Sequence, residues 1–438
     1  MLSQQDNDLL CRIGPGTAMG TAFRRYWIPA LQASELVRGD ADPVHIELLG
    51  EHFVAFRDDQ GAVGFLDEKC CHRGASLLLG RVEASGIRCI YHGWKFAPDG
   101  KVLETPNVPD EKFKTRFRAR AYPTHEAGGL IWVYLGPPSM IPRFPAWPWL
   151  GALESNRLNT RHMHGCNYVQ VLEGLVDSSH LGILHSNGLH ASRQSNLTFA
   201  NKVGAMQFDL APRIDAQDTD FGFHYAAIRA GMGASGTKSL VRVTAFVCPF
   251  TVLNPNGDVA TLVVPRNDES SNFYHIFWDP ERAIGEEPLR SEQLRFLGLD
   301  PDTANRYRIT EQFQYLGGKP CRANRFLQNR ELMNTGESFS GLPGLIEEDV
   351  AVSVSAGMIR DRTKESLSIA DVAIGRLYRS LLKCARLVQS DQAPIGIGVD
   401  VTHVAGISTE IESGRQWQSL VPTHSLTVDD GPAGAASR

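Results

Sequence analysis

The sequence predicts an α+β protein in two parts, and three observations carry that expectation. Alternating apolar and polar residues run through "PVHIELLGEHFVAFRD" and "AVGFLDEKC", with Gly and Asp between them, which is the period of half-buried antiparallel strands. A Pro/Trp-rich stretch, "GPPSMIPRFPAWPWL" at residues 136–150, then interrupts any regular element, because Pro removes backbone donors and fixes φ. Beyond it, helical spacing and strands mix. The first third, up to residue 135, is therefore expected to be all-β and the remainder mixed.

Taken in order, "NYVQVLEGLVDSSHLGILH" has helical spacing, and "FGFHYAAIRA", "SLVRVTAFVCPFTVL" and "SNFYHIFWD" read as strands. In "SIADVAIGRLYRSLLKCARLV" the residues Leu377, Leu381, Ala385 and Val388 recur at helical intervals, so this is a packed amphipathic helix and scaffold rather than site. The tail, "DDGPAGAASR" at 429–438, is small and polar and is expected to be disordered.

At 438 residues the chain suits two domains, and 42% hydrophobic with 21% charged residues describes a folded protein. A net charge of −5 without any Lys/Arg tract argues against nucleic acid or an anionic membrane surface as partner, leaving a small molecule or another protein. The N-terminus lacks the basic start and apolar stretch of a signal peptide, and no run approaches the roughly 20 apolar residues that span a bilayer, so a cytoplasmic protein is expected. Eight cysteines in so long a chain suit a reducing compartment better than a disulfide framework. The clustered Cys and His residues then need a metal explanation.

The first cluster is Cys70-x-His72, then sixteen residues, then Cys89-x-x-His92. Each half can sit on a tight turn, with Gly74 and Gly93 letting the backbone close around a ligand. Two thiolates and two imidazoles can bind tetrahedral zinc, as in a non-redox zinc protein, but the spacing matches a Rieske [2Fe–2S] centre better. There Cys70 and Cys89 would hold the inner iron, and His72 and His92 the outer one. Cys71, between two ligands, should point away. "CCHRGASL" with "CIYHGWKF" resembles the Rieske domain of the ring-hydroxylating, non-haem iron oxygenases. A Rieske ferredoxin would need little more than this first part, so the rest of the chain must be explained.

The second cluster, "EGLVDSSHLGILH", contains Asp177, His180 and His185. Asp177 and His180 would share a helical face, whereas His180 and His185 stand about 140° apart on a regular helix. The helix is therefore expected to deform or end near Gly182 for both imidazoles to meet. Two neutral imidazoles and a carboxylate form the facial triad of non-haem Fe(II) oxygenases. Asp177 itself or a remote residue can supply the carboxylate. "GLIEEDVAVSVSAGMIRDRTKESL" resembles the segment that gives these oxygenases their third ligand, which implies Asp349, with Glu348 and Glu347 as alternatives. Asp177 would then bridge His180 and, by the resemblance, His92 of the adjacent subunit in a homotrimer or a hexamer of trimers. Electrons would cross the subunit boundary there.

The resemblance covers nearly the whole chain. "GPGTAMGTAFRRYWIPAL", the residues Asn167, Gln170 and Glu173, "DTDFGFHYAAIR" and "IRDRTKESL" resemble the phthalate dioxygenase branch. That implies an N-terminal Rieske domain with its extension over 1–145 and an iron-bearing, helix-grip-like antiparallel sheet domain over 146–428. It also implies O2 as co-substrate and NADH acting through a reductase with flavin and a plant-type [2Fe–2S] cluster. The expected reaction is ring dioxygenation of an aromatic carboxylate such as a phthalate or chlorobenzoate, with O- or N-demethylation of a methoxylated aromatic as the alternative. A carboxylate would need cations in an apolar pocket, and Arg242, Arg229 and Ser178 are the candidate contacts.

Overall fold

The computed structural model describes residues 2–36, 42–187, 210–232, 237–307 and 321–422, so the tail at 429–438 lies outside the described residues. Two short helices come first, α1 (Gln4–Cys11) and α2 (Ala18–Phe23), each capped by a hydroxyl: Ser3 accepts from Asp6 N and Thr17 from Gly20 N. Ten short strands follow: β1 (Trp27–Gln32), β2 (Val44–Leu48), β3 (Glu51–Arg57), β4 (Val63–Asp67), β5 (Arg81–Glu83), β6 (Gly86–Arg88), β7 (Lys95–Phe96), β8 (Val102–Glu104), β9 (Thr124–Ala127) and β10 (Leu130–Tyr134). They make three small antiparallel sheets, ordered β1-β10-β9, β2-β3-β4 and β5-β6-β7-β8.

The β2–β3 turn shows how the parts are joined. Leu49 and Gly50 both adopt positive φ, 52° and 73°, as a tight two-residue hairpin turn demands. Leu49 is fully buried; its amide donates to Pro265 O at 3.2 Å and that of Gly50 to Arg266 O at 2.7 Å, both in the later strand Val259–Asn267. Contact with the second part thus offsets the strain of a branched residue in the left-handed region.

The Pro/Trp-rich stretch forms only single 3-10 turns, Pro138–Met140 and Pro148–Gly151, and Trp147 stacks on Trp149 with ring centroids 4.8 Å apart. The chain then enters an eight-stranded antiparallel sheet of β11 (Arg157–His164), β12 (Arg213–Asp218), β13 (Gly222–Met232), β14 (Lys238–Val247), β15 (Thr251–Leu253), β16 (Val259–Asn267), β17 (Ser270–Trp278) and β18 (Ile407–Glu412). Its order is β11-β17-β16-β15-β14-β13-β12, with β18 beside β14. The helices are α3 (Tyr168–Leu175), α4 (Leu181–Leu184), α5 (Leu289–Leu297), α6 (Pro301–Tyr307), α7 (Arg330–Thr335), α8 (Leu345–Ser355) and α9 (Val372–Gln389).

Helix α3 packs on β16 and α8, and α9 packs on β12 and β13, so the α+β class and a helix laid on an antiparallel sheet are as expected. Leu377, Leu381, Ala385 and Val388 of α9 are all buried. Helices α1 and α2 also pack against α9, so the chain's first residues sit with its last helix. One core runs through both parts, while Cys70 and Cys89 belong to a separate small core with Phe56, Leu77, Trp94 and Phe96. Among the described residues no helix is long and apolar enough to cross a membrane.

Candidate redox and metal centres

Two loops of one build carry the first Cys/His cluster. Cys70 N donates to Ala75 O and Gly74 N to Cys70 O, both at 2.8 Å; Cys89 N donates to Trp94 O at 2.9 Å and Gly93 N to Cys89 O at 3.0 Å. Closing each loop requires a left-handed residue, supplied by Gly74 (φ 72°) and Gly93 (φ 75°). The first loop springs from a bridge between Lys69 and Ser76, the second from the β6–β7 hairpin.

The thiols of Cys70 and Cys89 are 4% and 2% exposed and within hydrogen-bonding reach of each other. His72 and His92 are half-buried, with ring centroids 4.6 Å apart, and His72 stacks on Trp94 at 4.5 Å. Burial pushes Cys70 up to about 12, so this thiol would not ionise at neutral pH unaided; a coordinating metal removes the proton outright. Buried thiols inside and accessible imidazoles outside fit a cluster with one sulfur-held and one nitrogen-held iron. Cys71 is exposed.

The second cluster forms where α3 ends. The helix stops at Leu175, and Asp177 Oδ1 accepts from both Ser179 N and Ser179 Oγ at 2.7 Å, a local turn that replaces the next helical bonds. His180 and His185 then flank the single turn α4, as its first and last caps. Helix α3 breaks at residues 176–179, ahead of His180, and the single turn α4 that follows ends at Leu184, two residues past Gly182, so His185 lies outside the helix and is free to turn toward His180.

Asp349 comes from α8. His185 Nε2 is 3.2 Å and His180 Nε2 3.9 Å from Asp349 Oδ1, and the three ligand atoms lie within 4.8 Å of one another. Each histidine's other nitrogen faces a carboxylate: His180 Nδ1 donates to Asp177 Oδ2 at 3.2 Å, and His185 Nδ1 to Glu348 Oε2 at 2.6 Å. Those bonds fix the tautomer, leaving both Nε2 lone pairs for a metal. Glu348 in turn accepts from Ser340 Oγ. Glu347 turns the other way, against Gly298, and burial pushes its carboxyl up to about 8. The three consecutive acids of α8 thus have three different directions, with Asp349 at the centre.

Burial alone would lower His185, but Asp349 and Glu348 outweigh it and carry it to about 10. Burial would raise Asp349, and His185 and His180 instead bring it below the usual carboxylate range. The pocket therefore favours one extra positive charge, which a divalent cation supplies in place of a proton. The Asp349 side chain is 45% accessible and borders a small cavity.

Asn167, Gln170 and Glu173 hold this arrangement from behind. Asn167 Nδ2 donates to Cys11 O and Asp268 O, and Gln170 Nε2 to Ser353 O and Gly357 O. Buried Glu173 accepts from Arg362 Nε (2.6 Å), Arg360 Nη1 (2.9 Å) and Tyr378 OH (2.8 Å). Asn167 ties the start of α3 to α1 and the β16–β17 turn, while Gln170 and Glu173 clamp α3 to α8 and the segment after it, and so set the two histidines against Asp349.

Next to Asp177, Ser178 Oγ lies 3.1 Å from Tyr225 OH, and Arg229 Nη2 donates to Ser178 O at 3.3 Å. Arg242 is buried on β14 and bonds Asn256; burial, with Arg229 nearby, pushes it down to about 9. The structure thus gathers Ser178, Arg229 and Arg242, and adds Tyr225, which the sequence did not single out.

A second group of ligand-type residues, His45, His52 and Glu68, meets on the surface of β2 and β3. A cavity of about 180 Å³ lies between Trp27, Phe144, Phe250 and Ile397 and holds none of the Cys/His/Asp ligand sets.

Residues 26–123 match the family described as Rieske [2Fe-2S] domain, and residues 133–426 the one described as LigXa C-terminal domain like. The chain is 34% identical over 441 residues to the phthalate 4,5-dioxygenase oxygenase subunit of Pseudomonas putida, covering 98% of this chain and 97% of that one. It is 36% identical over 396 residues to the 3-chlorobenzoate-3,4-dioxygenase oxygenase subunit of Comamonas testosteroni, covering 88% and 89%. The solved structure of Pseudomonas putida CBB5 NdmA QL mutant with theobromine shares the fold at a TM-score of 0.57 and 15% identity, over 91% of this chain and 100% of that one. With a Rieske [2Fe–2S] cluster and mononuclear iron as its cofactors, the chain belongs to the Rieske non-haem iron, aromatic ring-hydroxylating oxygenases of the phthalate dioxygenase type, as their oxygenase subunit.

Proposed function

We propose that Cys70, His72, Cys89 and His92 hold the [2Fe–2S] cluster in a domain over 1–145, that His180, His185 and Asp349 hold the iron in a domain over 146–428, and that the substrate is an aromatic carboxylate dioxygenated on its ring. The observation that carries the iron assignment is the double orientation of the histidines. Both Nδ1 atoms are engaged by carboxylates and both Nε2 atoms turn to Asp349.

When bound, the cluster supplies electrons, drawn from NADH through the reductase, and the iron activates O2. The chain's own residues do the rest. Glu348 and Asp177 keep the imidazoles in the tautomer that leaves Nε2 bare. Arg229 and Arg242, buried on adjacent strands, create positive potential beside Ser178 and suit a substrate carboxylate, whose planar oxygens a guanidinium can hold in two bonds.

In this reading a homotrimer, or a hexamer of trimers, brings His92 of a neighbouring copy to Asp177. Supporting it, His72 and His92 sit at the surface, rimmed by exposed Leu79, Ile90 and Tyr91, and Asp177 keeps accessible surface.

The test is NADH- and reductase-dependent O2 uptake by iron-replete protein over phthalates, chlorobenzoates and methoxylated benzoates, with mass spectrometry of products. A gain of two oxygens and two hydrogens is expected. Loss of a methyl group as formaldehyde would replace dioxygenation by demethylation, and a colourless protein that cannot be reconstituted with iron and sulfide would leave only a zinc protein. Arg242→Met should weaken carboxylate binding about tenfold or more while sparing uncharged aromatics.

A further inference from the structure

The hairpin of β2 and β3 brings together two imidazoles and a carboxylate that belong to neither ligand set above. In the register of the pair, His45 stands opposite Val54 and Glu47 opposite His52, so His45 and His52 are diagonal neighbours on one face. Both rings are exposed, and they stack with centroids 5.2 Å apart. Ile46 and Phe53, paired on the opposite face, are buried and hold the strands in that register. The carboxylate comes from Glu68, just past β4. Its amide donates to His52 O at 3.2 Å and its carbonyl accepts from Leu77 N at 2.7 Å, so the backbone sets it beside the histidines. Glu47 shares their face but is already engaged, by Arg266 Nη2 at 2.7 Å and Asn267 Nδ2 at 2.6 Å.

The three side chains converge on one point. His45 Nε2 lies 3.0 Å from His52 Nδ1 and 3.7 Å from Glu68 Oε2, and each residue offers a ligand atom within 4.8 Å of the other two. A proton on either ring can bridge the two nitrogens, but it leaves Glu68 Oε2, at 3.7 Å, beyond hydrogen-bond reach of His45. A metal ion joins all three. Zinc–nitrogen bonds of about 2.0–2.1 Å would span the two rings at roughly 90–95°, and a shift of a few tenths of an ångström in exposed side chains opens that angle to the tetrahedral value. Glu68 is already oriented, because its other oxygen, Oε1, accepts from Ser76 Oγ, the kind of outer partner that a ligating carboxylate keeps.

We propose that His45, His52 and Glu68 form a further metal site, for a divalent ion of the zinc class, with solvent completing its coordination. Two imidazoles suit zinc, nickel or copper, whereas calcium and magnesium take oxygen ligands. A bound ion would clip β2 and β3 to the entry of the first cluster loop, since Ser76 pairs with Lys69 at the root of that loop. Val54, on the histidines' face, belongs to the small core that also holds Cys70 and Cys89. The site is independent of the substrate reading.

The test is equilibrium dialysis of iron-loaded holoenzyme against zinc buffered at micromolar free concentration, with iron and zinc both counted, then zinc-edge X-ray absorption of the product. Wild type should take up one zinc per chain without losing iron, and the spectrum should show a nitrogen and oxygen shell with imidazole scattering and no sulfur. His45→Ala, His52→Ala and Glu68→Gln should each weaken binding by more than about tenfold, the least that losing even an outer partner costs a metal site. His403→Ala, which removes an exposed histidine elsewhere, should leave it unchanged. Cluster absorbance in each variant reports that the domain is intact. Zinc uptake only in exchange for iron, a sulfur shell, or binding that survives in both His45→Ala and His52→Ala would overturn the site. The wild-type count needs no variant, so a misfolded one does not spare the proposal.

Discussion

His185 donates a hydrogen bond from Nδ1 to Glu348 Oε2 at 2.6 Å, in a pair whose side chains are only 2% and 4% exposed. Glu348 precedes Asp349 in sequence yet reaches the same ring from the opposite side. Glu348→Ala should therefore weaken Fe(II) retention and turnover by about 10–100-fold, the usual cost of losing the partner that orients a ligand. Iron content after a chelator challenge, with the cluster absorbance unchanged, checks it.

Asp177→Asn should leave both metal centres loaded and slow turnover at least about tenfold, because an amide cannot offer His180 and a neighbouring donor the same two acceptor oxygens. Stopped-flow oxidation of the pre-reduced cluster by O2 in the presence of substrate is the measurement. A wild-type rate there would refute the bridging role.

Cys71 and Cys70 are adjacent and face opposite environments, one exposed and one buried. Cys71→Ser should keep the cluster's visible and paramagnetic spectra, whereas Cys70→Ser should abolish them. Equal loss in both variants would show that the loop is misassigned.

Glu173→Ala should lower stability by about 3–5 kcal/mol, since it leaves the fully buried Arg362 guanidinium without its carboxylate. The readout is the midpoint of urea unfolding. Iron loading should fall in parallel, because the same contacts set α3 against α8.

The amphipathic period of α9 and the alternation in β2, β3, β14 and β17 were legible because one buried face imposes the pattern on each element by itself. The Cys/His half-sites were legible for a similar reason: each closes within six residues, Cys70–Ala75 and Cys89–Trp94. What the sequence withheld depends on contacts between distant segments. Helical spacing runs on through Val176 and hides the additional break at 176–179, because that turn is held by Asp177 and Ser179 side chains rather than by glycine. The choice among Glu347, Glu348 and Asp349 needs the position of α8 relative to His185, which Gln170, Glu173 and their partners some 190 residues away provide. His162 and His164 alternate on β11, so the period of a strand by itself puts them on one face.

The twin loops around Cys70 and Cys89 close entirely through backbone groups, from the cysteine to the glycine four residues on and to the carbonyl one further. The side chains at positions 71, 73, 90 and 91 take no part in that closure and are exposed. What the closure locks is length: one residue inserted into either loop would unmake its two closing bonds and carry its histidine out of register with its cysteine.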